Sequence, residues 1–429
     1  MRQGQGQQPE QQPEQPDYDA VRADAEAWLR ANWDPDLTVR EWWSRLADSG
    51  WGFPTWPQEY FGRSLPPELA PAVREAFAAV GAIGPPSSLG QLLGAPTLLT
   101  HGNATQLQQW LPVLARGEEY WCQFFSEPGA GSDLAGLETR AVRDGDEWVV
   151  NGQKVWTSGA HLADRGVIVA RTDSDAPKHQ GLTYFLIDLD QPGVEVRPLH
   201  QMNGNDGFNE TFFTDARVGN DRIVGEESDG WAVAVTTLMF ERFITAIPSA
   251  DPGQKAGHLD LRAGDFASGK RKGSREAGIE VPASQLAAGA ARRLGRDRDP
   301  VKRQRIAELR AREEVQRLSG MRSADAIRSG RRPGAEGSVR KLARSELSRT
   351  GREVGMDVLG AHGMLAGPDT PGEGAIQHLA LSSPGRSIAG GTDEIQRDIV
   401  GERVLGLPKE PRVDKDVPFR DLKIGTQRR

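Results

Sequence analysis

The hydrophobic pattern of this chain changes period twice, and that double change restricts the fold more than any other feature. From 17 to about 119, apolar residues recur at helical spacing, as in VRADAEAWLRANW and VREWWSRLADSGW, with breaks at FPTWP and IGPPSS. Between 121 and 222 the runs become short and alternating or β-branched: EWVVNGQKVW, RGVIVARTD, LTYFLIDL and GVEVRPL, separated by DGD, DSDAP and QPG turns. After Gly230 helical spacing returns in WAVAVTTLMFERFITAI, SVRKLARSELSRTGREVGMDVL and TDEIQRDIVGERVLG. Helix, then sheet, then helix is not the alternation of a parallel dinucleotide-binding sheet, and no GxGxxG joins a strand to a helix.

The expected architecture is therefore an α+β multidomain chain. It comprises a disordered tail over 1–16, an N-terminal helical domain over 17–119, and a central β-barrel or sandwich domain over 120–230. A C-terminal helical bundle over 231–408 and a tail over 409–429 complete it. The stretch 251–282 is polar and glycine-rich and is expected to be a mobile insertion, either covering the site or tolerated at the surface. Within it, GDFASGK at 264–270 imitates a phosphate loop. Arg271 stands where a hydroxyl should hold magnesium, and no strand precedes the motif, so it is discounted.

Charge and cysteine usage narrow the function. A formal charge of −7 in 429 residues offers no general attraction to nucleic acid or to an anionic membrane. The one cysteine, Cys122, rules out an internal disulfide and cysteine-based metal clusters, and the opening MRQGQGQQPEQQPEQP has no apolar core for a signal peptide. A cytoplasmic protein is expected. The seven histidines show no ligand spacing, so no metal site is expected.

Two motifs carry chemistry. WCQFFSEPGAGSD places aromatics beside a run of small residues, letting backbone amides approach a flat or anionic ligand; the plain alternative is a turn linking the helical and β regions. Some thirty residues on, GQKVWTSGAH sets Trp156 beside Thr157 and Ser158 at a strand end, a bulky indole with hydroxyls that suits an isoalloxazine ring.

Taken together, SEPGAGSDLAGLETRAVRDGDEWVVNGQKVWTSGA resembles the central β domain of acyl-CoA dehydrogenases. The similarity extends over 17–408 and includes GWGFPTWPQEYFGR, GFNETFFTDARV and RSIAGGTDEIQRDIVGERVLGLP. The resemblance implies FAD as cofactor and Cα-proton removal with hydride transfer from Cβ, giving a trans-2-enoyl-CoA. It implies FAD contacts over 123–132, with Gln123, Phe125, Ser126, Gly131 and Ser132 the named candidates, and at Trp156, Thr157 and Ser158. Ser126 and Ser158 would hydrogen-bond the flavin. Arg303, Thr392 and Glu394 are further cofactor candidates, and Ser132, Phe240, Arg242 and Gly391 are substrate candidates. It also implies an acyl-CoA substrate, an electron-transfer flavoprotein as acceptor, and a homo- or hetero-oligomer.

The reaction needs a carboxylate base, and the family's usual C-terminal EGT glutamate is replaced here by Gly390-Gly391-Thr392. A second family position, on the helix after the β domain, holds Glu241. Glu241 and Arg242 are the only charges between Trp231 and Ser249, and as helix neighbours they point about 100° apart, so they do not simply neutralise each other. Burial raises a carboxylate's proton affinity, which suits a base. A structural ion pair is the other reading of Glu241. For Thr392, heading a first turn that holds Asp393 and Glu394, with Ile395, Ile399 and Val404 on the apolar side, helix capping alone is the other.

Two departures from the family stand out. Its RxxFGxxIxxxQ stretch survives only near 303–306, and LGAHGM at 359–364 replaces QxxGGxG, a pattern resembling actinobacterial steroid side-chain dehydrogenases, some of them heteromers. Three functions follow as expectations: a competent dehydrogenase with Glu241 as base, a non-catalytic subunit supporting a partner's site, or an oxidase or flavin monooxygenase on the same scaffold.

Overall fold

The computed structural model describes residues 17–244, 258–267, 281–329, 334–365, 367, 370–411 and 414–422. The tail 1–16 lies outside them. Five helices come first: α1 (Tyr18–Asn32), α2 (Val39–Ser49), α3 (Ala70–Val80), α4 (Ala95–His101) and α5 (Ala104–Ala115). The sequence states their ends. Thr38 and Glu41 form a reciprocal capping box at the start of α2, Asn103 and Gln106 do so for α5, and Gly50 closes α2 at φ 74°. The buried face of α2, Trp42, Trp43 and Leu46, packs with Leu29, Val73 and Phe77.

Seven strands follow: β1 (Trp121–Phe124), β2 (Arg140–Asp144), β3 (Glu147–Ser158), β4 (Arg165–Arg171), β5 (Leu182–Asp188), β6 (Val194–Leu199) and β7 (Phe208–Gly219). They form one sheet in the order β1-β4-β2-β3-β7-β6, with β5 on the other side of β4. β1 runs parallel to β4, whereas β3–β7, β4–β5 and β6–β7 are antiparallel. Strands covered on both faces read as continuous apolar runs, which explains GVIVA in β4 and TYFLI in β5. Val167, Val169 and Tyr184 face Leu98, Trp110 and Leu111 of the helical layer, while Ile168 and Phe185 pack with Trp148 and Phe213 on the opposite face.

The chain continues through α6 (Gly230–Ile244), α7 (Ala263–Ala267), α8 (Ala283–Arg293), α9 (Pro300–Arg328), α10 (Glu336–Leu359), α11 (Ala375–Arg386) and α12 (Asp393–Ile399). Helices α8 to α11 share a core of Ala287, Ala290, Leu309, Val354, Val358 and Ile376. Small residues let them approach: a Cβ on Gly355 would stand 2.7 Å from Ile376, and one on Gly351 2.7 Å from Ala283. Helix α6 packs chiefly on β5, on the helical turn Gly90–Gly94 and on α4, which continues from it, rather than in that bundle.

The reading of 251–282 as one mobile insertion is corrected for 258–267. His258, Leu259 and Ala263 are buried against the first helical domain, and Val39 and Arg40 donate backbone hydrogen bonds to Leu261 and Leu259. Gly264 of the discounted phosphate-loop mimic has a packing role: its N–H donates to Pro35 O at 2.9 Å, and a Cβ would stand 2.8 Å from the proline ring. The remainder of 251–282 lies outside the described residues, apart from 281 and 282. Within the expected tail at 409–429, the stretch 414–422 is corrected too: Phe419 is buried and Pro418 bridges to Pro177 in the β4–β5 connection, while 412–413 and 423–429 lie outside the described residues.

Candidate active site

The two motifs meet at an irregularity in β3. Opposite β7, the register runs Lys154↔Thr211 and then Thr157↔Asn209, so one extra residue is accommodated between them. A bulge of this kind re-aims side chains. Trp156 takes φ 62° there, a left-handed conformation that costs a bulky residue on the order of 1–3 kcal/mol and is typical of functional positions. Its indole is 60% exposed, with the Phe208 ring edge-on at 6.0 Å. Ser158 lies exposed on the same side, whereas Thr157 is turned the other way and buried; its hydroxyl has no hydrogen bond among the described residues. Any cofactor contact by Thr157 therefore falls to its backbone. The SEPGAGSD segment is held directly alongside: Val155 N–H donates to Ser126 O at 2.9 Å.

Sequence reasoning missed what fastens these segments together. Lys154 is fully buried and donates to Glu127 Oε1 at 2.8 Å and to Phe125 O at 3.0 Å. Glu127 also accepts from the backbone N–H groups of Glu138 (2.7 Å) and Thr139 (2.9 Å). Burial pushes the Glu127 carboxyl up, but Lys154 and these hydrogen bonds outweigh it and hold it below the ordinary carboxylate value. Burial lowers the Lys154 ammonium's pKa, against the pull of Glu127. The available signal was the alternation Trp148, Val150, Gly152, Lys154, which directs Lys154 inward.

A second connection leads from the motif to helix α6. Phe125 packs edge-on to Tyr184, with ring centroids 6.1 Å apart, and Tyr184 Oη lies 3.1 Å from Thr237 Oγ1, which itself lies 3.0 Å from Thr97 Oγ1. Burial pushes the Tyr184 phenol pKa well up, so it stays protonated as a hydrogen-bonding group. Glu241 stands one turn beyond Thr237 on the same helix face. Its carboxylate reaches the C-terminal glycine pair: a Cβ on Gly390 would lie 3.9 Å from Glu241 Oε1. Gly390 (φ 66°) and Gly391 (φ 84°) both use left-handed backbone. Gln396 donates to Gly390 O at 2.7 Å, and Asp393 anchors the helix start through Lys341 (2.9 Å) and Arg349 (2.6 Å). Thr392 is the N-cap of α12, accepting from Ile395 N–H at 3.3 Å.

The other candidates are placed less centrally. Gln123 and Ser126 are half-buried, Phe125 is buried, and Gly131 and Ser132 are exposed, with open space where a Cβ on Gly131 would stand. Phe240 is half-buried on α6, which is not covered all round, since Val235 and Met239 are exposed. The Arg242 side chain lies outside what is described. Glu394 points outward to Arg397 at 3.2 Å, and Arg303 is exposed on α9, donating to Asp297 O. Val404, expected on an apolar face, is 43% exposed because the helix opens into a wider turn at Val400–Val404. Among the described residues there is no group of His, Cys, Asp and Glu that could hold a metal, and no helix long and apolar enough to cross a membrane.

Comparison with known proteins gives a consistent result over the whole fold. Residues 18–118 match the acyl-CoA dehydrogenase N-terminal domain, 122–216 the acyl-CoA dehydrogenase middle domain and 280–405 the acyl-CoA dehydrogenase C-terminal domain. The acyl-CoA dehydrogenase IpdE1 of Mycobacterium tuberculosis is 40% identical over 375 residues, covering 86% of this chain and 88% of that protein. Two solved structures are similar at 27% identity. The Tcur3481-Tcur3483 steroid ACAD has a TM-score of 0.64, covering 92% of this chain and 98% of its own. The ChsE4-ChsE5 complex from Mycobacterium tuberculosis has a TM-score of 0.63, covering 94% and 100%.

Proposed function

The chain belongs to the acyl-CoA dehydrogenase family of FAD-dependent oxidoreductases, and from that premise we propose that Glu241 is the base that removes the α-proton of a bulky, steroid-derived acyl-CoA. The observation that carries this reading is the place of Glu241 Oε1, 3.9 Å from where a Cβ on Gly390 would stand, at the position where the family's usual base is absent.

The residues present fit a flavin. Trp156 offers an exposed flat wall, Ser126 and Ser158 flank it with hydroxyls, and Gly129 and Gly131 leave the loop backbone open to close approach. FAD, when bound, supplies the two-electron acceptor for the hydride that leaves Cβ.

The chain's own part is positioning and proton removal. Glu241 takes the Cα proton as the α,β double bond forms, and its carboxylate becomes a carboxylic acid. Tyr184 and Thr237 fix the helix that carries it. Lys154 and Glu127 hold the loop and the bulge in register, so that the cofactor wall is formed before ligands arrive. The glycine pair at 390–391 puts no side chain beside the carboxylate, which favours an acyl group bulky near Cα and Cβ. The similarity to a steroid ACAD supports the same substrate class. Electrons leave, in this reading, to an electron-transfer flavoprotein.

Anaerobic mixing of the FAD-loaded protein with straight-chain, branched and steroid-derived acyl-CoAs tests the proposal. Bleaching of the flavin by the steroid-derived thioesters is expected, and bleaching by short straight-chain thioesters alone would refute the substrate class. A second reading, a subunit completing a partner's site, is supported by the similarity to two paired proteins, Tcur3481-Tcur3483 and the ChsE4-ChsE5 complex. Bleaching by this chain alone would exclude it.

A further inference from the structure

The C-terminal segment 414–422 lies against the residues that hold the SEPGAGSD loop. Phe419 N–H donates to Ala176 O at 2.9 Å and Arg420 N–H to Ser174 O at 3.1 Å, so the segment is stitched to the β4–β5 connection by backbone bonds. From there the Phe419 ring covers the Arg171 guanidinium, whose carbon sits 3.3 Å from the ring centroid. Arg171 is 2% exposed and donates to Ala135 O at 2.7 Å and Leu137 O at 3.2 Å, at the far end of the loop. Lys178 makes the second link, reaching Asp133 at 3.1 Å and Asp414 at 3.4 Å.

We propose that segment 414–422 is a strap that orders the 126–133 loop for its cofactor, with Phe419 and Lys178 as positioning residues. The inference rests on the assignment of that loop to FAD. One end of the loop is pinned by Lys154 through Glu127 and Phe125. The other end depends on Arg171, and on Lys178 where it grips Asp133. Between the pins, Glu127 and Ala130 exchange backbone hydrogen bonds at 2.9 and 3.1 Å and Ala130 is buried, which closes the first half of the loop. The second half, Gly131 and Ser132, is exposed, with open space where a Cβ on Gly131 would stand, so its order depends on the Asp133 end. A loop ordered beforehand binds more tightly because less freedom is lost on binding. Covering Arg171 with a ring also keeps water from competing for its carbonyl partners.

The test is FAD affinity of full-length apoprotein, measured by quenching of flavin fluorescence, for wild type, Phe419→Ala, Phe419→Trp, Lys178→Met and Gly131→Val, with the apoprotein melting temperature as a check on folding. Phe419→Ala and Lys178→Met should each weaken FAD binding by about tenfold, and Phe419→Trp should restore it, because preorganisation and not direct contact is what they supply. Gly131→Val has room in the apoprotein and should lose FAD by collision with the ligand. Wild-type affinity in Phe419→Ala, or in Lys178→Met if the former does not fold, overturns the strap while a weakened Gly131→Val leaves the loop assignment standing. Wild-type affinity in Gly131→Val overturns the loop assignment and the strap with it.

Discussion

Oε1 of Glu241 lies 3.9 Å from the point where a Cβ on Gly390 would stand. Two positions about 150 residues apart in sequence therefore address one small volume, one supplying a carboxylate and the other supplying only backbone. Helix α6 brings the first there because Thr237 is hydrogen-bonded to Tyr184 and Thr97. The second is brought by the clamped start of α12, where Gln396 holds Gly390 O.

Space at position 390 should govern which acyl groups enter. Gly390→Ala adds one methyl at ordinary contact distance from Glu241, but at φ 66° it also costs about 1–2 kcal/mol of backbone strain. Turnover of steroid-derived thioesters should fall about tenfold or more, with a smaller loss for unbranched ones, as expected when a pocket loses roughly one methyl group of room. Comparing kcat/KM for the two classes checks this; equal losses would point to strain alone.

Lys154 and Glu127 are worth more together than either is alone. Lys154→Met leaves the Glu127 carboxylate buried with its strongest partner gone, and such broken pairs cost about 3–5 kcal/mol. Adding Glu127→Gln should recover part of that loss. Urea unfolding of the single and double variants measures it, and additive losses would mean the two groups are not coupled.

Acid should remove stability held at the start of α12, beside the glycine pair. Burial pushes the Asp393 carboxyl up, but hydrogen bonds from Arg349 and Lys341 outweigh this and hold it well below the usual range. A carboxyl depressed in the folded state stabilises fully above its unfolded pKa of about 3.9 and loses that contribution as pH falls below it. The melting temperature of wild type should therefore drop between about pH 5 and the acid limit more steeply than that of Asp393→Asn. Parallel curves would show that Asp393 carries no acid-linked stability.

Much of this was legible in the sequence, and the misses have physical causes. The order helix, sheet, helix followed from the period of the apolar residues, and the two motifs named the strand end and loop that Ser126 and Val155 join. Glu241 drew notice as one of two charges in an apolar helix. Lys154 did not, because a charged residue in a strand reads as solvated, even where the alternation points it inward, until a partner 27 residues away is known. Averaging over 251–282 hid His258, Leu259 and Phe266, which are enough to dock a ten-residue segment onto Trp43. Phe419 was similarly lost in a polar tail.

The most direct measurement is the rate of flavin bleaching by an acyl-CoA substrate, followed anaerobically in FAD-loaded wild type and Glu241→Gln. The variant keeps the shape of the side chain and should keep FAD, but removal of the base should slow bleaching by about 10²–10⁴-fold. Bleaching at the wild-type rate in Glu241→Gln, with FAD bound, would contradict Glu241 as the group that takes the α-proton.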